Sequence, residues 1–293
     1  MSRIKASYKT FEDLQKRYHE TALQKPDLVR IINESEIPEH VYNSNAIENS
    51  TLTLEETDKI LMKIELDRFI TEREIFEAKN LARVVEYLEK KALENEISEE
   101  VILLLHKMLI SNINDNIAGR FRQGEEWVRV GSHIAANPVE VPNLVQSLIT
   151  NYKTSGNENI IRRVSRFHLE FEHVHPFCDG NGRIGRVLIN YLLIRNNHVP
   201  VNIKFVDRQR YYDAFKEYDT SSKTTIMEEM VLNALTISYH KRLAYLEGMK
   251  IMTLVDYAKE FKLPLNNLIN KAKRQTIPAF TEKGVWKIGV ERQ

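Results

Sequence analysis

The chain has 293 residues, enough for a sizeable core and for a main domain with smaller appendages. Lys and Arg number 42 against 41 Asp and Glu, so no global charge argues for a general affinity for nucleic acid or for a membrane surface. A single cysteine excludes an internal disulfide framework and a Cys-based zinc site. With no charged leader ahead of an apolar run and no apolar stretch of about 18 residues, the sequence reads as a soluble, cytoplasmic protein with no membrane partner.

Helical periodicity then dominates in chain order. Over roughly 8–36, Leu14, Tyr18, Leu23, Leu28 and Val29 recur at loosely helical spacing. A turn over 44–48 follows, with Ser44 and Glu48 four apart and therefore on one helical face. Thr53 and Glu56 make a capping box for a helix running to about Leu66. Another helix is expected over about 72–94, with Ile75, Leu81, Val84, Val85 and Leu88 inward. Ser98 caps a further one carrying Val101, Leu104, Leu105 and Leu109. Between Gly119 and Pro138 the helical period gives way to alternation, in Arg120-Phe121-Arg122 and again from Trp127 through Val128 and Val130 to Gly131, which predicts a short hairpin. Helices over 142–152, on either side of 175–186, and near 227–243 complete a mostly α, orthogonal bundle. After Gly248 the spacing gives two helices (Leu254, Tyr257, Ala258, Phe261, then Leu265, Leu268, Ile269, Ala272) and a hairpin over 277–288. These form a small winged-helix-like module with Lys271, Lys273, Arg274 and Gln275 on or just after its second helix, suited to a DNA or a protein partner. The resulting division is 1–95, 96–247 and 248–293.

Residues 175–186 carry the densest chemistry, reading His-Pro-Phe-Cys-Asp-Gly-Asn-Gly-Arg-Ile-Gly-Arg. Ile161, Val164, Phe167, His168, Phe171 and Val174 before it, and Ile184, Val187, Leu188, Tyr191 and Leu192 after it, mark two buried helices. His175 therefore ends one helix and Gly180-Asn181-Gly182 opens the next, where amides without intrahelical partners and glycine backbone make an anion cradle. Arg183 and Arg186 stand in the first turn of that helix, where the dipole disfavours a cation by up to about 1 kcal/mol, so an anion is expected there. A base, a hard oxygen ligand in Asp179, a cradle and two arginines suit a polyphosphate with Mg²⁺ and a general base beside it. Cys178 falls inside this run and reads as a buried thiol rather than a nucleophile.

The run matches H-x-F-x-[D/E]-G-N-G-R-x-x-R, the signature of Fic (filamentation induced by cAMP) domains, at every specified position, and the chain resembles that family. The resemblance implies the Fic-type helical bundle with a hairpin flap, and transfer of AMP from ATP to a Ser, Thr or Tyr hydroxyl of a target protein, itself included, with release of pyrophosphate. It implies His175 as the base, Asp179 as the Mg²⁺ ligand, and Gly180, Asn181, Gly182, Arg183, Gly185 and Arg186 as the phosphate-binding set. Ser44 to Asn49 fits [S/T]-x-x-x-E-[G/N], the family's inhibitory motif, so Glu48 would pair with Arg186 and block the seat of the γ-phosphate. Val128, Val130 and Gly131 resemble the flap that aligns the target. Tyr211, Tyr212 and Asp219 resemble the adenine side, although relatives often carry asparagine where this chain has Asp219. Removal of AMP with Glu48 orienting water, transfer of another phosphate-containing group, and a DNA-binding regulator with a nucleotide-sensing core stay open, as does a homodimer.

Overall fold

A computed structural model describes the backbone over 2–130 and 133–291. The described residues fall into two compact units, Ile37–His198 with Asn202–Glu228, and Met1–Glu36 with Val199–Val201 and Glu229–Gln293. Two helices run along the first stretches of the chain, α1 (Ser2–Ala22) and α2 (Pro26–Ile47), and α2 contributes its second half to the first-named unit.

That unit continues with α3 (Leu54–Leu61), α4 (Glu72–Lys91), α5 (Glu99–Ile110), the two-stranded hairpin β1 (Arg129–Val130) and β2 (His133–Ile134), α6 (Val141–Thr154), α7 (Ile160–Val174), α8 (Asn181–Arg195) and α9 (Arg208–Ser221). Its centre is α8, buried almost without interruption from Arg183 to Leu193, which is the mark of a helix enclosed on all sides. Helices α4, α5 and α7 pack on it, and α7 turns Ile161, Val164, Phe167 and Phe171 inward. The loop between α7 and α8 is therefore held at both ends by the core.

Local signals account for the helix starts. Thr53 and Glu56 form the expected reciprocal capping box, Thr71 accepts from the Glu74 amide, and Ser98 accepts from the Val101 amide. Helix α3 stops at Leu61, short of Leu66. The separate turn expected at 44–48 is instead the end of α2, which continues through Pro38 although that residue has no N–H to donate, and closes at Asn49 with φ 67°. The hairpin is shorter than its sequence pattern, pairing only Arg129 with Ile134 and Val130 with His133. Arg120-Phe121-Arg122 is not a strand, because the Arg122 amide donates to the Pro176 carbonyl and its side chain is buried. Gly131, expected in the flap, lies outside the described residues.

The other unit contains α10 (Thr225–Leu246) from Glu229 onward, β3 (Lys250–Thr253), α11 (Leu254–Glu260), α12 (Leu265–Lys273), β4 (Ala279–Glu282) and β5 (Val285–Val290). The strands form an antiparallel sheet in the order β3-β5-β4. Leu254, Ala258, Leu268, Ala272, Ala279 and Ile288 make its small core. Strand β3 was not apparent in the sequence. Arg242, fully buried, donates to Glu36 Oε2 at 2.6 Å and Asn33 Oδ1 at 2.8 Å, while Lys241 lies 3.2 Å from both Glu36 Oε1 and Glu282 Oε1. These carboxylates offset the cost of burying two cations in this interior. No helix among the described residues is long and apolar enough to cross a membrane.

Candidate active site

The loop from α7 to α8 is fixed by polar contacts to its backbone. His175 ends α7 at φ 50°, ψ 63°, a left-handed conformation that a side chain other than glycine adopts only when its surroundings impose it. Arg122 imposes it, donating from Nε to the His175 carbonyl at 2.8 Å and from Nη2 to the Val174 carbonyl at 3.0 Å. Asn181 Nδ2 donates to the Phe177 carbonyl and the Phe177 amide donates to Asn181 Oδ1, both at 2.8 Å. Phe177 is buried and stacks on His106, with ring centroids 3.7 Å apart. His106 accepts from the Gly119 amide at Nδ1, so its proton is on Nε2, which donates to the Asp179 carbonyl at 3.0 Å. Burial pushes this imidazole down to about 4, so it stays neutral in its structural role.

The last turn of α7 sets the tautomer of the candidate base. His175 Nδ1 faces the Glu172 carbonyl at 3.2 Å and Glu172 Oε2 at 3.5 Å; neither can donate, so the proton lies on Nδ1 and Nε2 keeps a bare lone pair. Burial works to raise the Glu172 carboxyl, but the bond from His175 and the electrostatics of its surroundings, the Arg186 cation among them, outweigh it and hold the group below its ordinary range. Its second oxygen, Oε1, is buried with no hydrogen-bond partner. A Cβ on Gly185 would stand 2.2 Å from that oxygen. Gly185, expected among the phosphate-binding residues, thus lies against α7 and makes room for this carboxylate.

Behind it, His168 Nε2 meets the Tyr211 hydroxyl at 2.9 Å, and burial pushes His168 down to about 4. An unfolded histidine protonates near 6.5, so stability is intact above that pH and falls as pH drops toward 4, by about 3 kcal/mol over the full window. Melting temperature followed by calorimetry from pH 7 to 4.5 should fall by several degrees. His168→Asn should melt lower at pH 7 yet lose less on acidification.

Arg186, only 4% exposed, donates from Nε to Ser44 Oγ at 3.0 Å and from Nη2 to the Ser44 carbonyl at 2.8 Å and to Glu48 Oε1 at 2.9 Å. Burial works against this cation, but Tyr211 and Glu48 raise its pKa further. The Glu48 carboxylate also lies over the start of α8, since a Cβ on Gly182 would meet its Oε1 at 2.2 Å. A negative group is favoured at that helix end. Asp179 is held from both sides, by Arg73 Nη2 at 2.6 Å and Arg183 Nη2 at 3.2 Å. Burial would raise its carboxyl, but the Arg183 and Arg73 charges keep it below the usual range. Arg183, expected to bind phosphate, also pairs with Glu77 Oε1 at 3.0 Å and is almost fully buried. No group of three His, Cys, Asp or Glu side chains among the described residues could hold a metal by itself. Asp179 does fit the kind of Mg²⁺ site in which one carboxylate shares the ion with substrate phosphates, once Arg73 is displaced.

The residues expected farther out are placed unevenly. Tyr211 is 2% exposed and bonded to His168 and Arg186 through its hydroxyl, so its ring faces the interior rather than a ligand. Tyr212 is half-exposed and donates to the Ile47 carbonyl, and Asp219 Oδ1 lies 3.4 Å from His173 Nδ1. Val128 and Val130 lie in or beside β1, with the Val128 carbonyl accepting from the Ala135 amide. The Cys178 thiol is pushed up by burial and by Glu126, which leaves it in the unreactive form.

Residues 96–193, which include this loop, match the Fic/DOC family. The chain carries a Fic domain. It is 30% identical over 220 residues to the protein adenylyltransferase Fic of Drosophila ananassae, an alignment spanning 70% of this chain and 44% of that protein, and 32% identical over 183 residues to that of Drosophila willistoni, spanning 61% and 36%. The chain therefore spans less than half the length of these relatives. The solved Fic-domain signalling protein of Bacteroides thetaiotaomicron shares the fold at TM-score 0.72 with 22% identity, covering 81% of this chain and 97% of that one. A Fic family protein of Desulfovibrio desulfuricans does so at TM-score 0.70 with 23% identity, covering 100% and 97%. Around the Fic motif, sequence reading missed Glu172, Arg122, His106, Arg73 and Glu77. Only Glu172 carried a signal, standing three residues before His175 on the same helix.

Proposed function

We propose that the Fic domain transfers AMP from ATP to a Ser, Thr or Tyr hydroxyl of a cytoplasmic target protein, itself included, and that Glu48 restrains it. The observation that carries this reading is the joint presence, on one braced loop, of a histidine with a bare Nε2 and a helix start beside Arg186 that already holds a carboxylate. The relatives named protein adenylyltransferase support it at the level of the reaction class.

In the proposed step the target hydroxyl oxygen attacks the α-phosphorus, the bond to the bridging oxygen breaks and pyrophosphate leaves. His175 Nε2 takes the hydroxyl proton as the new bond forms. Amides at Gly180, Asn181 and Gly182 and the Arg186 guanidinium bind the phosphate oxygens and fix the α-phosphorus in line, which is most of what phosphoryl-type transfer requires. Mg²⁺ held by Asp179 and the phosphates would neutralise charge on the departing pyrophosphate. Strand β1, carrying Val130 next to Val128, offers an edge on which the target segment lies extended. Tyr212 and Asp219 remain the adenine-side candidates.

Incubation with α-labelled and γ-labelled ATP tests the reading, since only the α label should become protein-bound. Labelling from the γ position would make the enzyme a kinase and sink it. Arg73, 57% exposed, competes with the metal for Asp179 through a surface pair worth about 1 kcal/mol or less. Arg73→Ala should accordingly strengthen the Mg²⁺-dependent part of ATP binding by up to about fivefold in calorimetry. Unchanged Mg²⁺ dependence in that variant would separate Asp179 from the metal.

A further inference from the structure

We propose that residues 249–293 bind double-stranded DNA through α12. The order α10, β3, α11, α12, β4, β5 with the sheet arranged β3-β5-β4 is the connectivity of a winged helix-turn-helix, in which the second helix of the pair enters the major groove. One side of α12 is committed to the core through Leu268 and Ala272, with Leu265 and Ile269 packed beside them. The opposite side presents Asn266, Asn267, Asn270, Lys271, Lys273 and Arg274, all exposed.

The order of those side chains fits a duplex. Asn266 and Asn267 occupy the half of the helix nearer its start, the half that reaches base edges, with Asn270 one turn on, and an asparagine amide matches the donor and acceptor of adenine in the major groove. Three cations follow at the far half, where phosphates flank the groove. The tight Lys283-Gly284 turn between β4 and β5, with φ 48° and 78°, places a further lysine at the tip of the wing.

Charge and apolar exposure choose DNA over a docking protein. Residues 249–293 carry nine Lys and Arg against four Asp and Glu, a net +5, which leaves −4 for the rest of a chain whose total is +1. One of the four acids, Glu282, is engaged by Lys241, Lys287 and Tyr245. None of the exposed large hydrophobic residues among those described lies on α12, whereas a protein interface is built around an apolar centre. The near-neutral total charge thus hides a basic module.

Fluorescence anisotropy of the full chain with a random-sequence duplex of about 30 base pairs tests this without recourse to nucleotide chemistry. Three phosphate contacts would weaken binding about 40-fold between about 50 and 200 mM salt. K271A/K273A/R274A, with an unchanged melting temperature because all three are exposed, should abolish that binding. N266A/N270A should keep affinity for the random duplex but lose the preference for whatever sequence the parent chain selects from a random-core library. No binding at about 50 mM salt, or binding that survives the triple substitution, overturns the proposal. Loss of a co-purifying protein in the triple variant with no duplex binding in the parent would assign α12 to a protein partner instead.

Discussion

Glu48→Gly should raise AMP transfer about 100-fold over the parent chain, read as automodification with α-labelled ATP. The Glu48 carboxylate is 2.9 Å from Arg186 Nη2 and lies over Gly182, so it meets both groups that would receive the terminal phosphate. On the proposed restraint ATP would bind beside it with its phosphate tail displaced, and a misplacement of about 1 Å at the reacting centre is enough for a loss on the order of 10². Glycine removes charge and bulk together. The Glu48 side chain is 41% exposed, and the buried Arg186 keeps its bonds to the Ser44 hydroxyl and carbonyl, so removal of the carboxylate should leave the fold intact. Arg186→Ala in the Glu48→Gly background should reverse the gain, because the freed guanidinium is what then holds the phosphate. Ser44→Ala should do far less, under about tenfold, since the Ser44 carbonyl still accepts from Arg186 when its hydroxyl is gone. Equal activity in Glu48→Gly and the parent would end the restraint reading while leaving the reaction itself untouched.

What the sequence disclosed follows from the range of the interactions involved. The motif at 175–186 was legible because its loop is closed locally: Asn181 bonds the backbone of Phe177 four residues away, and apolar residues at helical spacing lead in and out. The capping box at Thr53 and Glu56 was legible for the same reason. Ser44 and Glu48 could be placed on one face by spacing, yet the turn assigned to them was the end of a helix that tolerates Pro38. Arg120 to Arg122 misled by their alternation, because the partner that decides their conformation is the carbonyl row at 174–176, more than fifty residues on. Arg73 and Glu77 were invisible, since nothing near them in sequence announces that α4 runs past Asp179 and Arg183. The family resemblance puts Tyr211 on the adenine side, but a hydroxyl shared by His168 and Arg186 turns it inward.

His175→Ala should reduce transfer by about 10³-fold while leaving ATP affinity within about twofold. In the proposed step the base would act on the incoming hydroxyl, whereas the amides of Gly180, Asn181 and Gly182 and the Arg186 guanidinium would meet the nucleotide, so the two functions would reside on different groups. The loop should survive the change, because Arg122 braces it through the carbonyls of residues 174 and 175 rather than through the imidazole. Calorimetric titration with ATP and single-turnover transfer in the Glu48→Gly background separate the two effects, and a parallel fall in affinity would move His175 from base to nucleotide ligand. Glu172→Gln makes the sharper comparison. The Glu172 carbonyl, at 3.2 Å, still keeps the proton on Nδ1, so the tautomer is preserved and the loss should stop near tenfold. What the variant removes is the negative charge at 3.5 Å that would steady the imidazolium formed if, as proposed, Nε2 takes the proton. The acidic limb of the pH–rate profile should then shift to lower pH. A purely structural Glu172 would lower the rate at every pH and leave the shape of that profile unchanged.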